Sequence, residues 1–355
     1  MIHLLTGADE RFSPGLLVTA TSALLAIDLS TPVTIHVMDG GLRQQSIDDL
    51  RTVCLAINPM CEIQIFRVET ARFRTFRPGL RNSRMYYARL HMGSFLSASR
   101  VIYLDSDILV LSDLAALWRQ PMNGKTVLAC GDRTYVQLGE DCPWPLDPGE
   151  RSLPYFNSGF MVVDLDKWRE GNLEKHALEL AAGPTSYQWH DQTILNYVLR
   201  GRIEILEQSF NWQYESLPSG GIRDLNLHYS TGRKPWSYWG LDARFRIWRA
   251  FYSANGKNPL GLFLERCEAM GFACGLFEGS IRRHHGLRRG YLAWVSFRRR
   301  LAQGRQKAAL DGLYDYYATG LGSSSGDQDV NPRDPDVAEI MQKLQHRHQR
   351  GTVNH

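Results

Sequence analysis

Ten consecutive residues constrain this chain more than any other stretch: Val101-Ile102-Tyr103-Leu104-Asp105-Ser106-Asp107-Ile108-Leu109-Val110. Their Val, Ile and Leu content predicts a buried strand, yet two carboxylates stand in its middle. Alternate side chains of a strand point the same way, so Asp105 and Asp107 are expected to project together, with Ser106 on the opposite face. Two such carboxylates repel each other and lose hydration unless a proton or a cation lies between them. A divalent metal held by oxygen ligands is one resolution. A strand-end turn carrying solvated acids is the other.

Around this stretch, strand and helix patterns alternate. Strands are predicted at residues 2–6, 34–38 and 62–68, and helices at 14–27, 44–57 and 84–96. Pro14 opens the first helix, and Asp39-Gly40-Gly41 marks a turn. Such alternation implies an α/β fold with a mostly parallel sheet covered by helices on both faces. Ligands of these sheets bind at the carboxyl ends of the strands, which is where the two aspartates fall. Further on, strands are expected at 127–130, 159–165 and 224–229, and helices at 166–181 and 191–199. Residues 135–154, rich in Gly, Pro and acids, read as a long loop.

Composition excludes several classes. An apolar fraction of 43% and nine Trp suit a sizeable interior. The six cysteines form no CxxC pair, so neither a zinc knuckle nor a redox motif is indicated. The chain opens as a strand, without the pattern of a signal peptide, and no apolar run approaches the roughly 20 residues of a membrane span. The expected location is the reducing cytoplasm, with free thiols. The net charge of +4 is unevenly spread, because residues 281–310 hold nine Arg and Lys and no acid. Without those nine, 32 bases face 37 acids, a balance of −5. Tyr291, Trp294 and Phe297, spaced by three, interleave with these arginines. A helix built so suits an anionic lipid surface, peripheral on the inner face of the cytoplasmic membrane. The other readings are a solvated helix covering the core and, least favoured, a nucleic-acid patch. Residues after 320 are polar and turn-rich and read as a disordered tail.

Six segments, in order along residues 1–240, carry a resemblance. They are Gly7-Ala8-Asp9-Glu10, Tyr87-Ala88-Arg89-Leu90, Tyr103-Leu104-Asp105-Ser106-Asp107, Phe156-Asn157-Ser158-Gly159, Asp191-Gln192-Thr193-Ile194-Leu195-Asn196 and His228-Tyr229-Ser230-Thr231-Gly232-Arg233-Lys234-Pro235-Trp236. Together they resemble the retaining glycosyltransferases of family 8, which have the GT-A fold and include bacterial lipopolysaccharide glucosyl- and galactosyltransferases. The resemblance implies a GT-A catalytic domain over 1–240, followed by an aromatic and basic extension over 241–320 and a tail over 321–355.

The resemblance also implies roles. Asp105, Asp107 and His228 become metal ligands, and two carboxylates with an imidazole suit Mn²⁺ better than Mg²⁺, which is the alternative. Alone, His228 reads as a structural histidine. Asp9, with Ala8 beside it, would accept hydrogen bonds from a uracil or ribose, or else simply favour a helix N-terminus. Arg89 would hold a donor hydroxyl or phosphate, where it otherwise reads as a solvated charge. Ser106 joins the donor-binding set through its motif. Gly232 would let the backbone approach a phosphate, and Lys234 would place charge against it. Asn157 and Asp132 are expected at the transferred sugar, with Asp191 and Gln192 around the anomeric carbon. Asp191 also fits a helix N-cap. The implied reaction moves glucose or galactose from a UDP-sugar to an acceptor hydroxyl on lipopolysaccharide or another glycan, including a lipid-linked one. A catalytically silent UDP-sugar-binding protein, or a membrane-docking module of the same fold, is the alternative. Arg11 departs from the pattern, standing where relatives often carry Asn.

Overall fold

The computed structural model of the chain describes residues 1–76, 84–185, 187–214, 217–218, 222, 224–237 and 243–257. The basic stretch at 281–310 and the polar tail therefore lie outside the described residues. Those described fall into two compact units: Met1–Tyr214 with Ile222–Ser230, and a second that holds residues 217–218 and those from Thr231 on.

The first unit is a seven-stranded sheet. Its strands are β1 (Ile2–Ala8), β2 (Val33–Asp39), β3 (Cys61–Arg67), β4 (Arg100–Leu104), β6 (Val127–Gly131), β7 (Phe156–Asp164) and β8 (Ile203–Leu206), in the order β3-β2-β1-β4-β7-β6-β8. A separate two-stranded ribbon joins β5 (Ile108–Leu109) to β9 (Leu227–His228). All the sheet strands run parallel except β7, which is antiparallel to both β4 and β6. The α/β expectation is met, with one reversed strand in its interior, beside the central β4. That reversal matters for the site. It brings the amino end of β7 to the edge where β1, β4 and β6 present their carboxyl ends, with Leu104 opposite Phe160 and Gly131 opposite Phe156.

The helices cover this sheet. In α1 (Ser13–Leu25) every residue from Pro14 to Leu24 is buried. A helix with no polar face must satisfy its hydroxyls internally, and Thr21 Oγ1 does so by donating to the Leu17 carbonyl at 2.7 Å. By contrast, α2 (Gln44–Ile57) buries only Ile47, Leu50, Cys54 and Ile57, one stripe at helical spacing. The helix expected at 84–96 is a 3₁₀ helix, Met85–His91, running into the short α3 (Met92–Phe95). Tighter winding aligns residues three apart, and Tyr87 and Leu90 both reach the core. After α4 (Leu114–Arg119), the single helix expected at 166–181 is two, α5 (Leu165–Glu170) and α6 (Leu173–Ala182). They break at Asn172, which adopts the left-handed conformation with φ 50°. Finally, α7 (Asp191–Val198) packs against the sheet through Ile194, Leu195 and Val198.

The second unit contributes α8 (Ala243–Ala254). Its Trp248 stacks on Tyr252, with ring centroids 5.1 Å apart, and meets Trp236 at 5.5 Å.

Candidate active site

The ten-residue stretch is not one strand. β4 ends at Leu104, and Asp105 to Asp107 form a turn in which Ile108 N–H donates to the Asp105 carbonyl at 3.2 Å. Thr19 of α1 holds the turn by donating to the Ile108 carbonyl at 2.7 Å. Past the turn, β5 pairs with β9 so that Ile108 faces His228. Tyr229 N–H then donates to the Asp107 carbonyl at 3.0 Å. The result joins both sequence readings: the acids sit on a turn, and they still converge. One ligand atom from each of Asp105, Asp107 and His228 lies within 4.8 Å of the others. His228 Nε2 is 3.3 Å from Asp107 Oδ1 and 3.8 Å from Asp105 Oδ2.

The backbone opposite is bare. A Cβ at Gly159 would stand 2.5 Å from His228 Cε1, 2.8 Å from Asp105 Oδ2 and 3.0 Å from Asn157 Oδ1. Gly159 also accepts the last ladder bond of β4, from Asp105 N–H at 2.8 Å.

Arg89 organises the acids. Its Nη2 donates to Asp105 Oδ1 at 2.7 Å, its Nε lies 2.9 Å from Asp191 Oδ2, and its Nη1 donates to the Ser158 carbonyl at 2.8 Å. The guanidinium lies 4.5 Å above the Tyr103 ring, and the Tyr103 hydroxyl donates to Asp105 Oδ1 at 2.8 Å. This burial rules out the solvated charge that residue type alone suggested for Arg89. Burial opposes the charge on Arg89, but Asp105 and Asp191 outweigh it and raise its pKa above the ordinary value. The Asp191 carboxyl is pushed up to about 7, chiefly by burial, with Asp105 adding to the shift and Arg89 opposing it. Asp191 is also no N-cap. That position belongs to His190, whose φ of 51° and ψ of −119° make the sharp corner that starts α7.

The residues expected at the sugar form one hydrogen-bonded cluster. Asn157 Nδ2 donates to Gln192 Oε1 at 3.0 Å and to Asp132 Oδ2 at 3.2 Å. Gln192 Nε2 donates to the same Asp132 oxygen at 3.2 Å. Asp132 follows β6, Asn157 opens β7 and Gln192 starts α7, so the cluster needs the reversed strand. Asn211, which the sequence reading passed over, is fully buried between Asn157 and His228, at 2.9 Å from each. An amide inside Phe210-Asn211-Trp212 was the only local hint.

The long loop at 135–154 is tied down against α7. Asp141 Oδ2 accepts from Thr193 Oγ1 at 2.6 Å and from Tyr155 Oη at 2.7 Å. Arg200 Nε donates to Glu150 Oε1 at 2.8 Å, and Trp144 packs on Tyr197 at 5.1 Å.

Ala8 ends β1, and Asp9 caps the 3₁₀ turn Glu10–Phe12. There Asp9 accepts from Arg11 through the backbone N–H at 2.9 Å and through Nη2 at 2.6 Å. Ser106 is buried in the aspartate turn. Gly232 and Lys234 belong to the second unit.

Among the described residues, Asp105, Asp107 and His228 are the group able to share a metal ion. The donor set fits a divalent cation: two carboxylate oxygens and an imidazole nitrogen are ordinary ligands, and the missing side chain at Gly159 keeps the space beside them clear.

A family model described as Glycosyl transferase family 8 matches residues 3–240. Lipopolysaccharide 1,2-glucosyltransferase of Escherichia coli (strain K12) is 25% identical over 260 residues, spanning 68% of this chain and 74% of that protein. Lipopolysaccharide 1,3-galactosyltransferase of Salmonella typhimurium is 26% identical over 272 residues, spanning 71% and 77%. The galactosyltransferase LgtC, solved with donor and acceptor sugar analogs, matches with a TM-score of 0.59 at 22% identity, covering 73% of this chain and 98% of that one. That last likeness is one of fold, the GT-A arrangement.

Proposed function

The chain belongs to glycosyl transferase family 8 and is a glycosyltransferase, and from that premise we propose that it moves glucose or galactose from a UDP-sugar to an acceptor hydroxyl on lipopolysaccharide or a related surface glycan. The observation that carries the donor chemistry is the convergence of Asp105, Asp107 and His228 on one point. Diphosphate leaving groups need positive charge, and we assign these three residues to hold Mn²⁺. When bound, the cation supplies the Lewis acidity that stabilises the departing diphosphate. Lys234 and the bare backbone of Gly232 serve the same phosphates, and Ala8, Asp9 and Ser106 serve the nucleoside side.

The other residues act on the sugar. Asp132 and Asn157 orient its hydroxyls. As the glycosidic bond stretches, the ring carbon becomes oxocarbenium-like, and the Asp191 carboxylate and Gln192 amide oxygen stabilise that charge. Arg89 holds Asp191 and Asp105 in fixed relation through one planar cation. Retention of configuration follows from the family reading. Two lipopolysaccharide enzymes among the relatives support the acceptor class. Attachment to an anionic membrane through residues 281–310 completes the proposal. Among the described residues no helix is long and apolar enough to cross a membrane.

The test is nucleotide release from UDP-, GDP- and ADP-sugars, with Mn²⁺ and with chelator. Release confined to a UDP-hexose plus Mn²⁺ is expected. Equal release in chelator defeats the metal assignment, and tight UDP-sugar binding without release supports the silent alternative. For the membrane, loss of vesicle binding on truncation at residue 281, with donor hydrolysis retained, is the expected result.

A further inference from the structure

We propose that Asn211 is a positioning residue that sets the tautomer of His228, presenting Nε2 toward Asp105 and Asp107 and linking metal affinity to the sugar-contacting amides. The inference rests on the metal reading above and concerns the hydrogen-bond directions behind it.

The directions follow from groups whose roles admit no choice. The Gly159 backbone N–H, a donor only, meets Asn157 Oδ1 at 3.1 Å. On the other end of the same amide, Asn157 Nδ2 donates at 3.0 Å to Gln192 Oε1, an oxygen fixed as acceptor by the Ser158 backbone N–H at 3.2 Å. Asn157 is thus oriented at both ends, with its oxygen toward Asn211. Asn211 must therefore turn its nitrogen to Asn157 Oδ1, which it does at 2.9 Å. Its oxygen then faces His228 Nδ1 at 2.9 Å. An amide oxygen only accepts, so Nδ1 carries the proton. The other nitrogen, Nε2, is then the one left for a metal, and it lies 3.3 Å from Asp107 Oδ1.

Histidine ligands of metals are oriented in this way by a partner on the far nitrogen, usually a carboxylate or a carbonyl. Here the partner is a buried amide whose own direction is inherited, through Asn157, from the Gly159 backbone N–H. The chain Asp132–Asn157–Asn211–His228 runs from the sugar cluster to the ligand set. A change at one end reaches the other without moving the backbone.

Two measurements test this. The first is a long-range ¹H–¹⁵N correlation spectrum of the metal-free protein at neutral pH. His228 Nδ1 is expected to carry a proton bonded to an amide oxygen, and an unprotonated Nδ1 would overturn the proposal whatever the metal does. The second is Mn²⁺ affinity, read by EPR, for wild type, Asn211→Leu and Asn211→Asp, with near-UV circular dichroism verifying the fold. Asn211→Leu should weaken Mn²⁺ about 10–100-fold. Asn211→Asp keeps the acceptor for His228 but faces Asn157 Oδ1 with a second acceptor. It should hold Mn²⁺ within a few-fold of wild type while lowering the transfer rate. Wild-type affinity in a folded Asn211→Leu protein overturns the role of Asn211. If wild type itself fails to bind Mn²⁺, the metal reading falls, and the tautomer spectrum still decides the orientation.

Discussion

Arg89 Nε lies 2.9 Å from Asp191 Oδ2, and both side chains are almost wholly buried. The same guanidinium reaches Asp105 through Nη2. One cation therefore compensates two acids, the half-buried Asp105 of the metal-ligand group and the buried Asp191 beside Gln192.

Removing that cation should be severe. Arg89→Met leaves Asp105 and Asp191 uncompensated, and breaking a buried ion pair in this way costs about 3–5 kcal/mol. Arg89→Lys restores the charge but not the planar fork, and should recover only part of the loss. Denaturant unfolding at pH 7 reads both. A stability loss in Arg89→Met below about 1 kcal/mol would contradict the pairing, by the usual scale of exposed pairs.

Asp191 should leave a signature in the pH dependence of stability. Its folded-state pKa is about 7, raised mainly by burial, whereas an unfolded aspartate titrates near about 4. Between those values the folded protein holds a proton that the unfolded chain has released, so stability falls as pH rises from about 4 to about 7. Asp191→Asn should flatten that limb in melting temperature against pH. An unchanged slope would show that another group carries it.

Gly159→Ala tests the crowding around the ligand set. A methyl group there meets His228 Cε1 and Asp105 Oδ2 at 2.5 and 2.8 Å. Overpacking of this kind costs about 1–3 kcal/mol. The expected outcome is a modest fall in melting temperature with a large fall in Mn²⁺-dependent turnover. Full turnover in the variant would mean that the ligands are placed otherwise.

Gln192→Ala separates sugar from nucleotide. Gln192 bonds Asn157, Asp132 and the Ser158 backbone. Transfer should drop by roughly 10²-fold or more, with UDP affinity nearly unchanged, as for a group acting in the transition state. Calorimetry with UDP beside steady-state kinetics checks it. A matched loss of UDP binding would relocate the residue.

Asp141→Ala should free the loop at 135–154 from α7. Its carboxylate accepts from Thr193 and Tyr155, which neighbour Gln192 and Phe156 in sequence. Faster proteolysis within that loop, with a lower transfer rate, is the expected result. Protection equal to wild type would assign the anchoring to Trp144 and Glu150 instead.

Local pattern carried much of the architecture. Alternating apolar strands and striped or wholly apolar helices announce a covered, mostly parallel sheet, because periodicity reports which faces are buried. It cannot report direction. β7 pairs with β4 from more than fifty residues away, and its reversal is decided by that partner. The same limit explains the misread strand at 101–110. Its apolar residues continue past Leu104, but the Gly159 carbonyl, Thr19 and the β5–β9 pairing bend it into a turn.

The candidate site divides along the same line. Asp105, Asp107, His228, Asp132, Asn157, Asp191 and Gln192 were nameable from residue type and motif, since each brings a chemistry that its neighbours in sequence do not hide. That Arg89 turns toward two protein carboxylates, and that Asn211 stands between His228 and Asn157, required the folded chain. Hydrogen bonds form between groups brought within about 3 Å of each other, and residues 54 positions apart acquire that distance only when the sheet has closed.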